Sequence, residues 1–591
     1  MPRIEDYALI GDLQSAALVG RGGSIDWACF PRFDSGACFA ALLGGPEHGR
    51  WSLAPTGDVL STERHYREDT LVLETVHETA EGRVRVIDFM PPRGEAPDIV
   101  RIVEGIEGNV PVRSELVIRF DYGRIVPWVR RMDGARLAIA GPDALCLRTP
   151  VDVRGEDMTT VSDLTVGPGE RIPFVLTWFP SHCDPPDAVD PEQALRDSVG
   201  YWEEWAAGCE HHGAYHEEVH FSLMILKALT YAPTGGVIAA PTTSLPEKIG
   251  GVRNWDYRFC WLRDAALTLS AMLRAGYTGE SRAWRDWLTR AIAGDAAEVQ
   301  IMYGLAGERR IDESELGWLP GFEGSSPVRI GNAASKQLQL DVYGEVLDAH
   351  FQLLCRGIEE SPSAWAMLKR LLLWLEEGWK LKDAGIWEVR GPVRHFTHSK
   401  VMAWVAFDRA VKIVEEHGND GPVDRWKAIR AEIQAEVLDQ GWSETRGSFT
   451  QSYGRDELDA SILLLPIVGF IAADDPRMVA TVDAIREELT VDGLLYRYAA
   501  DEESCDGLPG GEGAFLACSF WLVEVLAKQG KVGEARALFD RLLSLRNDVG
   551  LLAEEYDTRE RRQLGNVPQA FTHLTLVTAA LAIDEAEHGD R

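Results

Sequence analysis

An N-terminal antiparallel β-sandwich followed by an all-α (α/α)6 barrel is the fold class predicted by this 591-residue chain. Short runs of alternating polar and apolar residues occupy the first third, as half-buried strands require. Apolar residues at i, i+3 and i+4 dominate the rest, the spacing of one helix face. A cluster of prolines and aspartates separates the two patterns. The expected division is a sandwich at 1–192, a linker helix region at 193–225 and the barrel at 226–591.

Gly82 to Phe89 alternates polar with apolar residues. Glu115 to Phe120, Ala135 to Ile139 and Phe174 to Phe179 are further β-prone runs. Turn signals such as Glu81-Gly82 and Pro168-Gly169-Glu170 interrupt them at close intervals, which favours antiparallel sheets. Pro185-Pro186-Asp187 and Asp190-Pro191 mark the boundary. Helices are expected at Ala265 to Leu273, Ala364 to Trp379, Ser399 to Glu415, Arg425 to Leu438, Leu458 to Ala472, Gly513 to Gly530 and Phe571 to Glu585. Gly276, Gly530 and Asp475-Pro476 stop helices between them. About a dozen helices fit in the remaining length, and a closed toroid of helical hairpins is their natural arrangement.

The chain carries 60 Lys and Arg against 93 Asp and Glu, a net charge of −33. Such a charge repels nucleic acid and anionic membranes, and it favours a neutral or cationic small molecule as ligand. The nine cysteines form no CxxC pair, no zinc ligand set and no dense disulfide framework, so reduced thiols in the cytoplasm are expected. The first residues show no basic segment followed by an apolar run, and no signal peptide is expected. No uncharged apolar stretch reaches the roughly 18 to 20 residues that span a bilayer. A homo-oligomer stays open.

Glu388 and Glu554 are the candidate catalytic pair. Gly385-Ile386-Trp387-Glu388 sets an acid directly after a tryptophan, and Leu552 to Asp557 sets acids beside Tyr556. Cleavage of a glycosidic bond needs a proton donor, a base or nucleophile, and flat apolar faces for the sugar ring. Trp255, Arg258, Arg263, Asp256 and Asp264 form a dense block before an apolar helix. An Arg–Asp pair there can grip sugar hydroxyls, or it can be a structural ion pair with Asp264 at the helix N-terminus. His395 to Lys400 reads as a helix cap by Thr397 or Ser399, with Lys400 in reach of the site. No third ligand suggests a metal at these histidines. The glycine-rich loop at 506–513 lacks the order of a phosphate-binding loop and reads as a turn into a helix from Ala514. Aromatics and Arg329 in the 317–332 loop suit either substrate walls or packing.

These residues resemble glycoside hydrolase family 15, which contains glucoamylases, glucodextranases and prokaryotic trehalases. Ile4 to Asp12, Gly23 to Trp27 and Pro31 to Ser35 resemble the N-terminal domain of its prokaryotic members. Trp261 to Asp264, Gly385 to Glu388, His398 to Met402 and Glu554 to Asp557 resemble its barrel motifs. The resemblance implies an inverting mechanism with Glu388 as general acid and Glu554 as general base. It implies that Arg263, Asp264 and Arg497 grip a terminal glucose, with Trp255, Trp387 and Glu555 also near the substrate. Glu555 neighbours the proposed base, and the motif order favours Glu554 over it.

An inverting pair stands about 6.5–9.5 Å apart, leaving room for a water. Leu338 to Tyr343 and Phe571 to His573 are most similar to the bacterial trehalases of the family. An α,α-trehalase is therefore the first expectation, and a glucoamylase or an isomaltose- or maltooligosaccharide-cleaving enzyme the second. A disaccharide phosphorylase and an inactive sugar-binding barrel come last, because both acids are present. No cofactor is required by this chemistry. Some relatives are associated with phosphate and Mg2+, for which the sequence locates no site.

Overall fold

The computed structural model describes residues 2–132, 134–359, 361–499, 507–508 and 511–589. Of the 506–513 loop, residues 506, 509 and 510 lie outside these. The strands expected in the first third form a sandwich of two eight-stranded antiparallel sheets. One sheet runs from Tyr7–Gly11 through Ser24–Cys29 and Arg50–Pro55 to Val110–Val117 and Thr159–Val166. The other runs from Trp128–Met132 through Arg171–Pro180, Asp98–Gly108 and Gly82–Phe89 to Val59–Tyr66.

Register explains the sequence pattern. Val84 and Val86 of Gly82–Phe89 are fully buried, while Arg83 between the turn and the core is exposed. The alternation stops at Ile87 because the other face is covered too. Ile87 and Phe89 pack under Ala194 and Leu195 of the helix Pro191–Ala206. That helix starts where the boundary signal stands: Asp190 caps it, accepting from the N–H groups of Glu192 and Gln193, and Pro191 takes the first helical position. Asp88, whose carboxylate is fully buried, is paired with Arg101 at 2.7 Å.

Six inner and six outer elements follow among the described residues. The inner ring is Leu262–Arg274, Asp341–Cys355, Thr397–His417, a short 460–467 segment, Leu516–Lys528 and Ala570–His588. The ring closes where Ala570–His588 packs on Leu262–Arg274. The outer elements are His216–Ala228, Thr278–Ala291, Pro362–Gly378, Val423–Gln440, Pro476–Leu489 and Val532–Leu543. Inner helices are buried nearly all round, Leu516–Lys528 over its first twelve residues, whereas Val423–Gln440 buries only Trp426, Ile433 and Val437. No helix among the described residues is long and apolar enough to cross a membrane.

Three expected elements differ. The apolar run Leu458 to Ala472 is a 3-10 turn, Ala460–Leu463, followed by one turn of helix, Leu464–Ile467. Pro466 cannot donate to the ladder, and Gly469 at φ +79° turns the chain away. The helix expected from Gly513 starts at Leu516, because Ala514–Phe515 pairs as a strand with Tyr556 and Glu555. The run Glu115 to Phe120 belongs to Val110–Val117 and then turns, with Asp121 and Tyr122 at positive φ.

Side chains bind the sandwich to the barrel. Trp27 donates its indole N–H to the carbonyl of Pro241 at 2.8 Å. Arg258 pairs with Asp256 at 2.7 Å and donates to the Tyr122 hydroxyl and the Ser35 carbonyl. The Asp256–Arg258 pair is therefore an interdomain clamp rather than a sugar grip.

Candidate active site

The loop carrying Glu388 is a tight turn. Gly385 lies at φ +69°, and a Cβ there would stand 2.8 Å from the Phe396 ring, so only glycine fits. Glu388 itself sits at φ +57°, a left-handed conformation that costs a non-glycine residue about 1–3 kcal/mol. Three side chains hold the turn. Gln337 donates to the carbonyls of Glu388 and Val389, and Arg263 donates to the carbonyl of Ile386 at 2.7 Å. Trp387 donates its N–H to Asp459.

Glu388 accepts a 2.6 Å hydrogen bond from the Trp261 indole and has Arg263 at 3.9 Å. Its side chain is 20% exposed, facing the cavity. Burial pushes its carboxyl up to about 7, against the pull of Arg263 and the Trp261 N–H. Arg263 and Asp264 open the helix Leu262–Arg274, and Arg263 donates to Asp264 at 2.8 Å. The pair links the helix N-terminus to the Glu388 loop.

Glu554 precedes the strand Glu555–Asp557, which pairs with Ala514–Phe515 and Arg562–Leu564. Successive residues on a strand face opposite sides. Glu554 points into the cavity and accepts a 2.6 Å hydrogen bond from the Tyr257 hydroxyl. Gly565 lies behind it at φ +74°, where a Cβ would meet the carboxylate at 2.5 Å. Burial, then the neighbouring Glu247, push the Glu554 carboxyl up, to about 8, while Tyr257 and Arg497 oppose this. Glu555 points the other way. It accepts from the Gly513 N–H at 2.7 Å and has Arg497 at 3.6 Å.

One cavity of about 710 Å³, its open mouth included, brings these parts together. Trp255, Arg263, Asp264, Trp387, Glu388, Arg497 and Glu554 all line it; Glu555 does not. Its other walls include Glu247, Arg253, Tyr257, Trp261, Asn332, Arg390, Gln569 and Phe571. Trp255 has guanidiniums over its ring, Arg390 at 4.2 Å and Arg329 at 4.6 Å, and its N–H donates to Glu247. It is thus a packed partner of arginines at the wall. Trp318 of the 317–332 loop reaches the sandwich, donating to the Tyr122 carbonyl.

Lys400 does not reach the site. It donates to the backbone carbonyls of Trp379 and Leu381 and lies beside Asp383. The helix starts at Thr397 with Phe396 at its cap and no side-chain cap, so neither Thr397 nor Ser399 caps it. Tyr257, Trp261, Glu247, Arg253 and Glu512 received no role from the sequence. Tyr257 and Trp261 stand inside the aromatic block already singled out; the other three come from separate segments that no motif joins.

Glu247, Glu512 and Glu555 place carboxylate oxygens within 4.8 Å of one another. The Arg497 guanidinium already stands among them, 3.0 Å from Glu247, 2.5 Å from Glu512 and 3.6 Å from Glu555. Arg253 adds a second cation at 3.4 Å from Glu512. The fixed positive charges do the work of an ion, and the cluster does not fit a resident Mg2+.

A helical toroid with two protonatable carboxyls in one aromatic-walled cavity defines a class of protein, the barrel glycosidases. Residues 213–581 match the model of glycosyl hydrolases family 15, and residues 1–199 match the trehalase-like N-terminal domain. The chain belongs to glycosyl hydrolase family 15. It is 38% identical to the trehalase of Mycolicibacterium smegmatis, over 99% of this chain and 92% of that one. It is 34% identical to the trehalase of Thermoplasma volcanium, over 99% and 94%. A crystal structure of a bacterial glucoamylase complexed with acarbose has the same fold, with a TM-score of 0.73 at 14% identity, covering 99% of this chain and 95% of that one.

Proposed function

We propose that this chain is an inverting α,α-trehalase that hydrolyses trehalose to two glucose molecules. The observation that carries the reading is one cavity lined by both Glu388, with its raised carboxyl, and the Tyr257-bound Glu554. The substrate comes from relatives named trehalase that align over nearly the whole chain, sandwich included.

Arg263, Asp264 and Arg497 grip the hydroxyls of one glucose and fix its anomeric carbon. Glu388 gives its proton to the glycosidic oxygen as the C–O bond breaks. A water on the opposite face attacks the anomeric carbon, and Glu554 takes its proton. Positive charge developing on the ring is met by the two carboxyls and the Tyr257 dipole. The attacked glucose leaves as the β-anomer and the leaving glucose as the α-anomer. Glu555 supports Arg497 from behind rather than touching sugar. No cofactor takes part in these steps, and the setting we propose is the cytoplasm.

The test is glucose release from trehalose, maltose and isomaltose, each with and without phosphate. Rapid release from trehalose independent of phosphate supports the proposal. Release from maltose or isomaltose alone moves the enzyme to the glucoamylase type, and glucose 1-phosphate makes it a phosphorylase.

A further inference from the structure

Asp459 lies outside the cavity wall, is 1% exposed, and is surrounded by donors. Both its carboxylate oxygens accept from the Trp387 indole N–H, at 2.9 and 3.0 Å. Oδ1 also accepts from the Ser461 N–H at 2.7 Å, and Oδ2 from the Gln451 side-chain amide at 2.9 Å. These donors come from three segments: the Glu388 loop, the short inner element of the barrel, and the chain after Ser448–Phe449.

The backbone around Asp459 reaches a fourth segment. Asp459 forms a bridge with Tyr498, and the Ala460 N–H donates to the Arg497 carbonyl at 2.8 Å. Arg497 in turn lies over the Trp387 ring, 5.4 Å from its centroid, with Phe515 edge-on at 5.3 Å. One buried carboxylate therefore stands between the residue that precedes Glu388 and the segment that carries Arg497.

The left-handed backbone of Glu388 persists only if its surroundings hold it. An indole is rigid, so a clamped N–H and a clamped ring together fix where the chain leaves Trp387 and enters Glu388. We propose that Asp459 is a positioning residue, which through the Trp387 indole aims the Glu388 carboxyl at the glycosidic oxygen. The proposal rests on the reading of Glu388 as general acid. A merely structural Asp459, serving as cap of the 3-10 turn, would affect all substrates alike.

The discriminating substrate is α-glucosyl fluoride, whose leaving group departs with little help from an acid. Asp459→Asn keeps the size of the side chain but turns one acceptor into a donor facing other donors. On trehalose its kcat should fall about 10–100-fold, with KM changed by less than about threefold, while hydrolysis of the fluoride stays near wild type. Trp387→Phe removes the same N–H from the other side and, although its ring lines the cavity and its loss can lower both rates, should lose more on trehalose than on the fluoride. The double variant should be no worse than the poorer single one, because both break one interaction. If Asp459→Asn fails to fold, Trp387→Phe carries the test. Equal losses on both substrates, or additive losses in the double variant, overturn the proposal. Glu388→Gln is the reference. If it shows the split and Asp459→Asn and Trp387→Phe do not, the positioning role alone is wrong. If it loses both substrates equally, the acid reading fails and this proposal with it.

Discussion

Protonation of two residues controls the proposed reaction. Glu388, raised to about 7, must hold a proton, and Glu554, raised to about 8, must have lost one. Below this range both carboxyls are protonated and no base exists. Above it both are ionised and no acid exists. Between these limits the lower value of Glu388 leaves most of the single proton on Glu554, so the reactive form, with the proton on Glu388, is the minor one; kcat/KM should still follow a bell between about 7 and about 8, with Glu388 setting its acidic limb and Glu554 its basic limb. A rate still rising toward pH 5 would contradict it. Tyr257→Phe removes a donor that favours the ionised Glu554, so the basic limb should move to higher pH and the maximal rate should fall by about tenfold or more. Glu554→Gln should cost far more activity than Glu555→Gln, whose carboxyl points away from the cavity. A worse loss from Glu555→Gln in steady-state kinetics would reverse the assignment of the base. The residues of the cavity are legible in the sequence where they are concentrated in a few consecutive positions, as at Trp387-Glu388 and Arg263-Asp264, and the roles given to them stay proposals. Glu247, Arg253 and Glu512 were not legible, because they meet only after folding.

The elements that carry the carboxyls differ, and so do their weak points. Glu388 rides on a turn that needs Gly385, and Glu554 lies beside a small three-stranded sheet backed by Gly565. Gly565→Ala would put a methyl group 2.5 Å from the Glu554 carboxylate at a φ of +74°. It should cut kcat at least about tenfold while costing only about 1–2 kcal/mol of stability, measured by kinetics and by urea unfolding side by side. Unchanged kinetics would mean that Glu554 has room to move. The same elements show where pattern reading stops. Strands such as Gly82–Phe89 and helices such as Pro362–Gly378 follow from periodicity. The Leu458 to Ala472 run does not, because Pro466 and Gly469 decide it against an apolar pattern that suits a helix. The strand Ala514–Phe515 exists through pairing with distant residues, which local propensity does not contain.

Across the whole molecule, buried polar contacts join the sandwich to the barrel that holds the site. Arg258 is the clearest, tied to Asp256, Tyr122 and Ser35 with almost no solvent exposure. Arg258→Ala leaves Asp256 buried without its cation and should destabilise the protein by about 3–5 kcal/mol, lowering the thermal unfolding midpoint by several degrees. An unchanged midpoint would show that the two domains stand independently. The sequence marks both domains but not this clamp, since Asp256-Tyr257-Arg258 mixes an interdomain ion pair with a site residue in one short block. The central claim joins all three scales: a family 15 barrel splitting trehalose with inversion. The most direct measurement is an anomer-resolved proton NMR time course on purified protein with trehalose. Equal initial amounts of α- and β-glucose, before mutarotation, are expected. Two α-glucose molecules would contradict inversion, and no glucose at all would contradict the substrate.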